Sequence, residues 1–102
     1  MQNHTLVYFN AFGYDTEDPT VFVPSEISEV RAVDIHHIIG RGKTGLDRIE
    51  NLMALTRKEH IEFGDKVEYM VMLLKIHRRR LQIANIPFDN KYFEFYIKKY
   101  SK

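Results

Sequence analysis

The order of apolar and polar positions divides the chain into an extended first half and a helical second half. Residues 5–10 (TLVYFN) and 20–23 (TVFV) are β-branched and aromatic, and the GYDTEDP stretch between them is turn chemistry, so two short extended segments are predicted. Residues 30–39 (VRAVDIHHII) alternate at Val30 and Ala32, turn more apolar, and run into Gly40, Gly42 and Gly45. With residues 51–55 (NLMAL) as a second strand, 30–55 reads as a hairpin closed by a glycine-bearing loop.

Helix signals follow in order. Thr56 and Glu59 have the spacing of a capping box, in which hydroxyl and carboxylate satisfy orphan backbone amides, and Gly64 stands where a C-terminal stop belongs. Asp65 and Glu68 repeat the capping spacing before a longer helix reaching about residue 84, with Val67, Met70, Val71, Leu74 and Leu81 as its apolar stripe. Arg78, Arg79 and Arg80 fall in its last turns, where cations suit the helix dipole, and Pro87 breaks it. Asp89 can cap a final helix in which Tyr92, Phe93, Tyr96, Ile97 and Tyr100 recur at three- and four-residue spacing. The fold class expected is α+β, in a single domain over 1–102, with a core at about 30–64 and a helical extension at 65–102.

Composition narrows the class. A chain of 102 residues and 12.2 kDa, 44% hydrophobic and 28% charged, has ordinary globular proportions. Its apolar runs fall far short of the roughly 20 residues that span a bilayer, and residues 1–10 lack the basic start and small-residue cleavage site of a signal peptide. An intracellular, cytoplasmic protein with no membrane partner is expected. The absence of cysteine excludes disulfides and thiolate metal sites, so any metal must be held by His, Asp, Asn or Glu. The net charge of +1 conceals an asymmetry: residues 1–30 carry five acids and no Lys or Arg (−5), and residues 31–102 carry all 15 Lys and Arg against nine acids (+6). Such a split fits either a polyanion-facing portion or two portions that neutralise each other.

Three of the five histidines, His36, His37 and His60, fall within one 25-residue stretch. Adjacent strand residues point to opposite faces, so His36 and His37 can serve one site only where the strand loses regularity, as Gly40 and Gly42 would permit. Asp34, two positions before His36, shares its face and could either bind a metal or orient an imidazole. Gly42-Lys43-Thr44 resembles the end of a phosphate-binding P-loop, but His37 stands where the first glycine is required, and no H-E-x-x-H pattern is present. His4 and His77 are assigned surface or capping duties.

The stretches DIHHIIGRG (34–42) and RIENLMALTRKEH (48–60) resemble the HNH endonucleases, whose core is a ββα-metal finger. The resemblance covers roughly residues 25–65 and implies an α+β fold built on that finger, with the short N-terminal extended segments and C-terminal helices added. It implies His37 as the general base that deprotonates water, His36 and His60 as metal ligands, Asn51 as the asparagine that ties the loop and helps hold the base, and Asp34 as an auxiliary acid among the metal residues. The implied cofactor is one divalent ion, Mg2+ or Mn2+ by preference, with Zn2+ or Ni2+ as alternatives. The implied substrate is DNA, taken as double-stranded, in a compact nuclease like those of phages and mobile elements. The chemistry is consistent, since an imidazole with an ordinary pKa of about 6.5 can activate water near neutrality and a cation stabilises charge developing on the phosphate.

Two departures from the family pattern stand out. Many relatives carry a structural zinc knuckle of two C-x-x-C pairs, and the corresponding positions here are Ser25, Ser28, Thr56 and Glu59, so hydrogen bonds would have to replace zinc. Where some relatives have a further histidine one turn beyond the helix ligand, this chain has Gly64, leaving Asp34, Asp65 or water to complete the metal sphere. For DNA binding, Arg41, Lys43 and Arg48 lie in or beside the inter-strand loop, and Lys75 with Arg78, Arg79 and Arg80 could extend a phosphate-contacting track. The aromatic last helix is expected in the core or at a homodimer contact. The alternative function is a DNA-binding or assembly module that keeps the finger without catalysis.

Overall fold

The computed structural model describes residues 1–40 and 46–101. The architecture is α+β. Strand β1 (Asp34–His37) pairs antiparallel with β2 (Leu52–Leu55), in the register Asp34↔Leu55, Ile35↔Ala54, His36↔Met53, His37↔Leu52. All four residues of β2 are buried, because both faces of the sheet are covered. On one face Leu52 and Ala54 pack with Tyr8 and Val23; on the other Met53 and Leu55 pack with Leu73, Leu74, Leu81 and Phe93. Both strands are shorter than expected. Before β1 the chain makes only a single bridge, Pro24 with Arg31, and Asn51 closes a 3₁₀ turn (Ile49–Asn51) that leads into β2.

The first expected extended segment is instead helix α1 (Asn3–Phe12). His4, Tyr8 and Phe12 stand at helical spacing on its inner side, and Gly13, at φ 76°, returns its N–H to Phe9 O as a left-handed cap. Burial of Tyr8 and its stacking on Phe12, centroids 4.5 Å apart, override the strand preference of Thr5, Val7 and Phe9. The second segment, 20–23, is not a strand either. The Asp18 carboxylate captures the Thr20 amide (2.8 Å) and hydroxyl (2.7 Å), and this local turn displaces an extended ladder.

Helix α2 (Arg57–Glu59) begins with the full capping box: Thr56 Oγ1 accepts from Glu59 N, and Glu59 Oε1 accepts from Thr56 N. It continues as a π-helical turn (His60–Gly64), a widened geometry that recurs at functional sites. The Asp65–Glu68 capping box does not form. A 3₁₀ turn (Val67–Tyr69) with an uncapped Lys66 start leads into α3 (Met70–Ile83), and Val67 is exposed rather than part of the stripe. The buried face of α3 is Leu73, Leu74, His77 and Leu81. Helix α4 (Asn90–Tyr100) is capped by Asp89, whose Oδ1 accepts from Lys91 N at 3.0 Å, and its Tyr92 and Phe93 enter the core with Tyr96, Ile97 and Tyr100 packed around it. Among the described residues no helix is long and apolar enough to cross a membrane.

His77 is neither a surface nor a cap residue. Wholly buried, it faces Glu26 Oε1 through Nδ1 (2.8 Å) and the Ile49 carbonyl through Nε2 (2.5 Å). Both partners are oxygen acceptors, so a ring making both bonds donates from both nitrogens. Tyr8 donates its hydroxyl to the other Glu26 oxygen (2.7 Å), which joins α1, α3 and the 25–28 turn in one buried polar knot beneath the sheet.

Candidate metal centre

Period-2 geometry in β1 remains regular through both adjacent histidines, so His36 and His37 go to opposite faces of the sheet. His36 shares its face with Met53 and meets the π-helical turn, where the His60 ring lies 4.6 Å away centroid to centroid. Asp34, on the same face two residues earlier, places Oδ2 at 3.1 Å from His60 Nδ1. A carboxylate can only accept, so Nδ1 carries the hydrogen and the Nε2 lone pair of His60 is turned the other way, where Asp65 Oδ2 lies 3.8 Å off. Asp34 thus stands behind His60 as its orienting group, gripped in turn by both Nε and Nη2 of Arg57 at 3.0 Å.

Donor atoms of His36, His60 and Asp65 all lie within 4.8 Å of one another. His36 Nε2 is buried there without a hydrogen-bond partner. Burial, reinforced by the facing His60 ring, pushes the His36 imidazole down to a pKa of about 4, so near neutrality the ring is uncharged and able to coordinate. An orphaned buried nitrogen is costly in a folded protein unless something pairs with it, and a divalent cation fits that requirement. Gly64 makes the approach of the rings feasible: a Cβ there would come within 2.5 Å of His60 Cδ2 and 3.2 Å of His36 Cε1. Position 64 therefore admits no side chain without displacement of an imidazole.

On the opposite face His37 Nε2 lies 2.7 Å from Asp47 Oδ1. Asn3, from α1, donates to Asp47 Oδ2 at 2.9 Å, and this bond together with the His37 contact holds the Asp47 carboxyl below its usual range. Its ionised form accepts from Nε2–H, which leaves the lone pair of a neutral His37 on Nδ1. The His4 ring packs against His37 with centroids 4.7 Å apart. Both histidine clusters open on one cavity of about 410 Å³ that runs along β1 from Val33 to His37.

Asn51 lies under the chain that leaves β1. Its Oδ1 accepts from Ile39 N (2.7 Å) and Tyr92 OH (2.8 Å), while Nδ2 donates to the carbonyls of Ile39 (3.1 Å) and Leu46 (3.2 Å). Every hydrogen-bonding position of the amide is used, and the side chain holds both ends of the inter-strand loop without touching His37.

Ser25, Ser28 and Thr56 gather around the Glu59 carboxylate. Glu59 Oε1 accepts from Ser25 Oγ (2.5 Å) and Thr56 N (2.9 Å), and Ser28 bonds the same side chain. Burial alone would raise the Glu59 carboxyl; these donors outweigh it and hold it below the ordinary range.

The expected cationic track is divided. Arg41 and Lys43 lie outside the described residues. Arg48 is committed to Glu50 (2.8 Å) and Asp89 (3.6 Å) and lies over the Tyr92 ring. Arg78 lies over Phe93, Arg80 pairs with Glu29 (3.5 Å), and exposed Arg79 lines a separate groove with Lys75, Ile76 and Ile83, so none of the three borders the histidine cavity. Sequence reasoning missed Asp47, Asn3, His4 and Arg57. Asn3 and His4 reach the site because α1 folds back onto β1, the one local sign of which was the helical spacing of His4, Tyr8 and Phe12 ahead of Gly13, whereas Asp47 arrives from the segment after the inter-strand loop. Comparison of the chain with protein-family models, with curated proteins and with solved structures yields no significant match to any of them.

Proposed function

We propose that this chain is a metal-dependent endonuclease of the HNH type, hydrolysing phosphodiester bonds of double-stranded DNA. The observation that carries the reading is the buried, unpartnered His36 Nε2 facing His60 and Asp65, one sheet strand away from a histidine whose tautomer is set by a carboxylate. Further support comes from the order of elements, an antiparallel strand pair followed directly by the capped turn that bears His60, which is the sequence of a ββα-metal finger. The hydrogen-bonded cluster at Ser25, Ser28, Thr56 and Glu59 supports the same register.

In this reading His37 takes the proton of the attacking water at Nδ1, and Asp47 keeps the ring in the competent tautomer and orientation. Asp34 orients His60, and Asn51 fixes the backbone at Ile38 and Ile39 that follows the base. Held by His36, His60 and Asp65, a divalent cation would stabilise the charge developing on the scissile phosphate. Two imidazoles and one carboxylate suit Mn2+, Ni2+ or Zn2+ better than Mg2+, which prefers an all-oxygen shell. Arg57, 71% exposed at the rim beside Asp34, and the Arg41 and Lys43 segment would contribute phosphate contacts of low sequence specificity.

The test is incubation of the full chain with supercoiled plasmid across Mg2+, Mn2+, Ni2+ and Zn2+, with EDTA as control. Nicked or linear product that requires one of these ions supports the reading. Salt-sensitive DNA retention without product under any ion would transfer the chain to the class of non-catalytic DNA-binding modules, and neither retention nor product would overturn both.

A further inference from the structure

The His37 side of β1 has the makings of a second coordination site. His4, from the first turn of α1, and His37, at the end of β1, are both buried and meet ring to ring, and Asp47 presents a carboxylate oxygen to the same place from the segment after the inter-strand loop. One donor atom from each of the three lies within 4.8 Å of the other two. Three separate elements thus converge, and the arrangement is fixed before any ligand arrives: Asn3 anchors the outer Asp47 oxygen at 2.9 Å, so that the inner oxygen is the one turned toward the imidazoles. Asp47 keeps about a third of its side chain in solvent (34%), and His4 and His37 both line the cavity along β1, which gives an entry path.

We infer that His4, His37 and Asp47 form a second divalent-cation site, for imidazole-preferring ions such as Zn2+, Ni2+ or Co2+ in preference to Mg2+ or Ca2+. The donor set decides that preference: two nitrogens and one carboxylate match borderline transition cations, whereas Mg2+ and Ca2+ require oxygen shells. The site stands independently of the nuclease reading but constrains it. Coordination at Nε2, the nitrogen beside Asp47, moves the hydrogen of a neutral His37 to Nδ1, and the ring then has no lone pair left to accept a proton. Occupation of this site and base catalysis by His37 are therefore mutually exclusive, and an excess of such ions switches the base off.

The test counts metal and involves no DNA. Full-length chain stripped with EDTA is dialysed against buffered Zn2+, and bound zinc per chain is measured by elemental analysis for the wild type, His4→Gln, Asp47→Asn and His60→Ala. Two equivalents are expected for the wild type and one for each variant, with His4→Gln combined with His60→Ala retaining none. Far-UV circular dichroism in EDTA identifies any variant that has lost its fold, and His4→Gln and Asp47→Asn probe the site independently of each other. A wild type that binds no zinc overturns the inference, as does a wild-type count, of one or two, retained by a folded His4→Gln or Asp47→Asn chain. If His60→Ala alone keeps the wild-type count, the His36 site fails while the second site stands.

Discussion

His36 and His37 are adjacent in sequence and diverge across a two-stranded sheet, His36 paired in register with Met53 and facing His60, His37 paired with Leu52 and facing Asp47 and His4. The strand thereby separates two chemical tasks by one peptide unit. His36, His60 and Asp65, whose donor atoms could hold a cation, collect on one side, and an imidazole oriented by a carboxylate stands on the other.

The first consequence concerns acid stability. The His36 pKa is depressed to about 4 by burial, whereas in the unfolded chain it returns to about 6.5, so between these values the unfolded state binds more protons. Stability of the metal-free protein therefore rises with pH across this window: the contribution of His36, of order 3 kcal/mol, is complete above pH 6.5 and lost as pH falls toward 4. His36→Leu removes both the titration and the unsatisfied nitrogen. In EDTA its unfolding free energy from urea titration should equal that of the wild type or exceed it by roughly 1 kcal/mol at pH 7, with a flattened pH dependence, and in buffered metal it should bind one ion fewer. Wild-type pH dependence in this variant would contradict the assignment.

Asp47→Asn keeps the size of the side chain and removes its charge. An amide can present either an acceptor or a donor to His37 Nε2, so the tautomer is no longer fixed. Cleavage should fall, and His37→Ala, which removes the base itself and its contribution of about 10²–10⁴-fold, should fall further. Initial-rate measurements with plasmid substrate check the order of the two effects.

The buried knot of Tyr8, Glu26 and His77 is structural. Truncating His77 to Ala leaves the Glu26 carboxylate buried without its imidazole partner and should cost about 3–5 kcal/mol, against about 1–2 kcal/mol for Tyr8→Phe, which removes one bond. Replacing Glu26 and His77 together by leucine should recover much of that loss. Chemical denaturation of the three variants measures it.

Much of this organisation was legible because it is local. The capping box at Thr56 and Glu59, the cap at Asp89, the antiparallel pairing of β1 with β2 and the opposite facing of His36 and His37 all follow from spacing within a few residues. Helix α1 was not legible, because β-branched and aromatic content outweighed the spacing of His4, Tyr8 and Phe12 until tertiary burial decided it. The partners of the buried histidines were the least legible. Asp47 is only 10 positions from His37, but Asn3, which fixes that carboxylate, is 44 positions from Asp47, and Glu26 is 51 from His77. Such pairs arise from the return of one element onto another and leave no periodic trace.

The hydrogen-bonded cluster around Glu59 offers a direct test of the proposed correspondence with a zinc knuckle. Ser25, Ser28 and Thr56 converge on Glu59, so the fourfold variant Ser25→Cys, Ser28→Cys, Thr56→Cys, Glu59→Cys should gain one tightly held Zn2+ and a zinc-dependent rise in unfolding temperature. Cobalt substitution, with thiolate charge-transfer absorption, reports the ligands directly. Absence of that absorption would show that the four positions do not share a knuckle geometry.

The most direct test of the central claim is the initial rate of supercoiled-plasmid nicking in Mn2+ by wild-type and His37→Ala chains of equal far-UV circular dichroism. With His37 as the general base, nicking by the wild type depends on the ion and the variant loses at least about 10²-fold, the usual contribution of a general base. Equal rates in the two chains, or wild-type nicking that persists in EDTA, would contradict it.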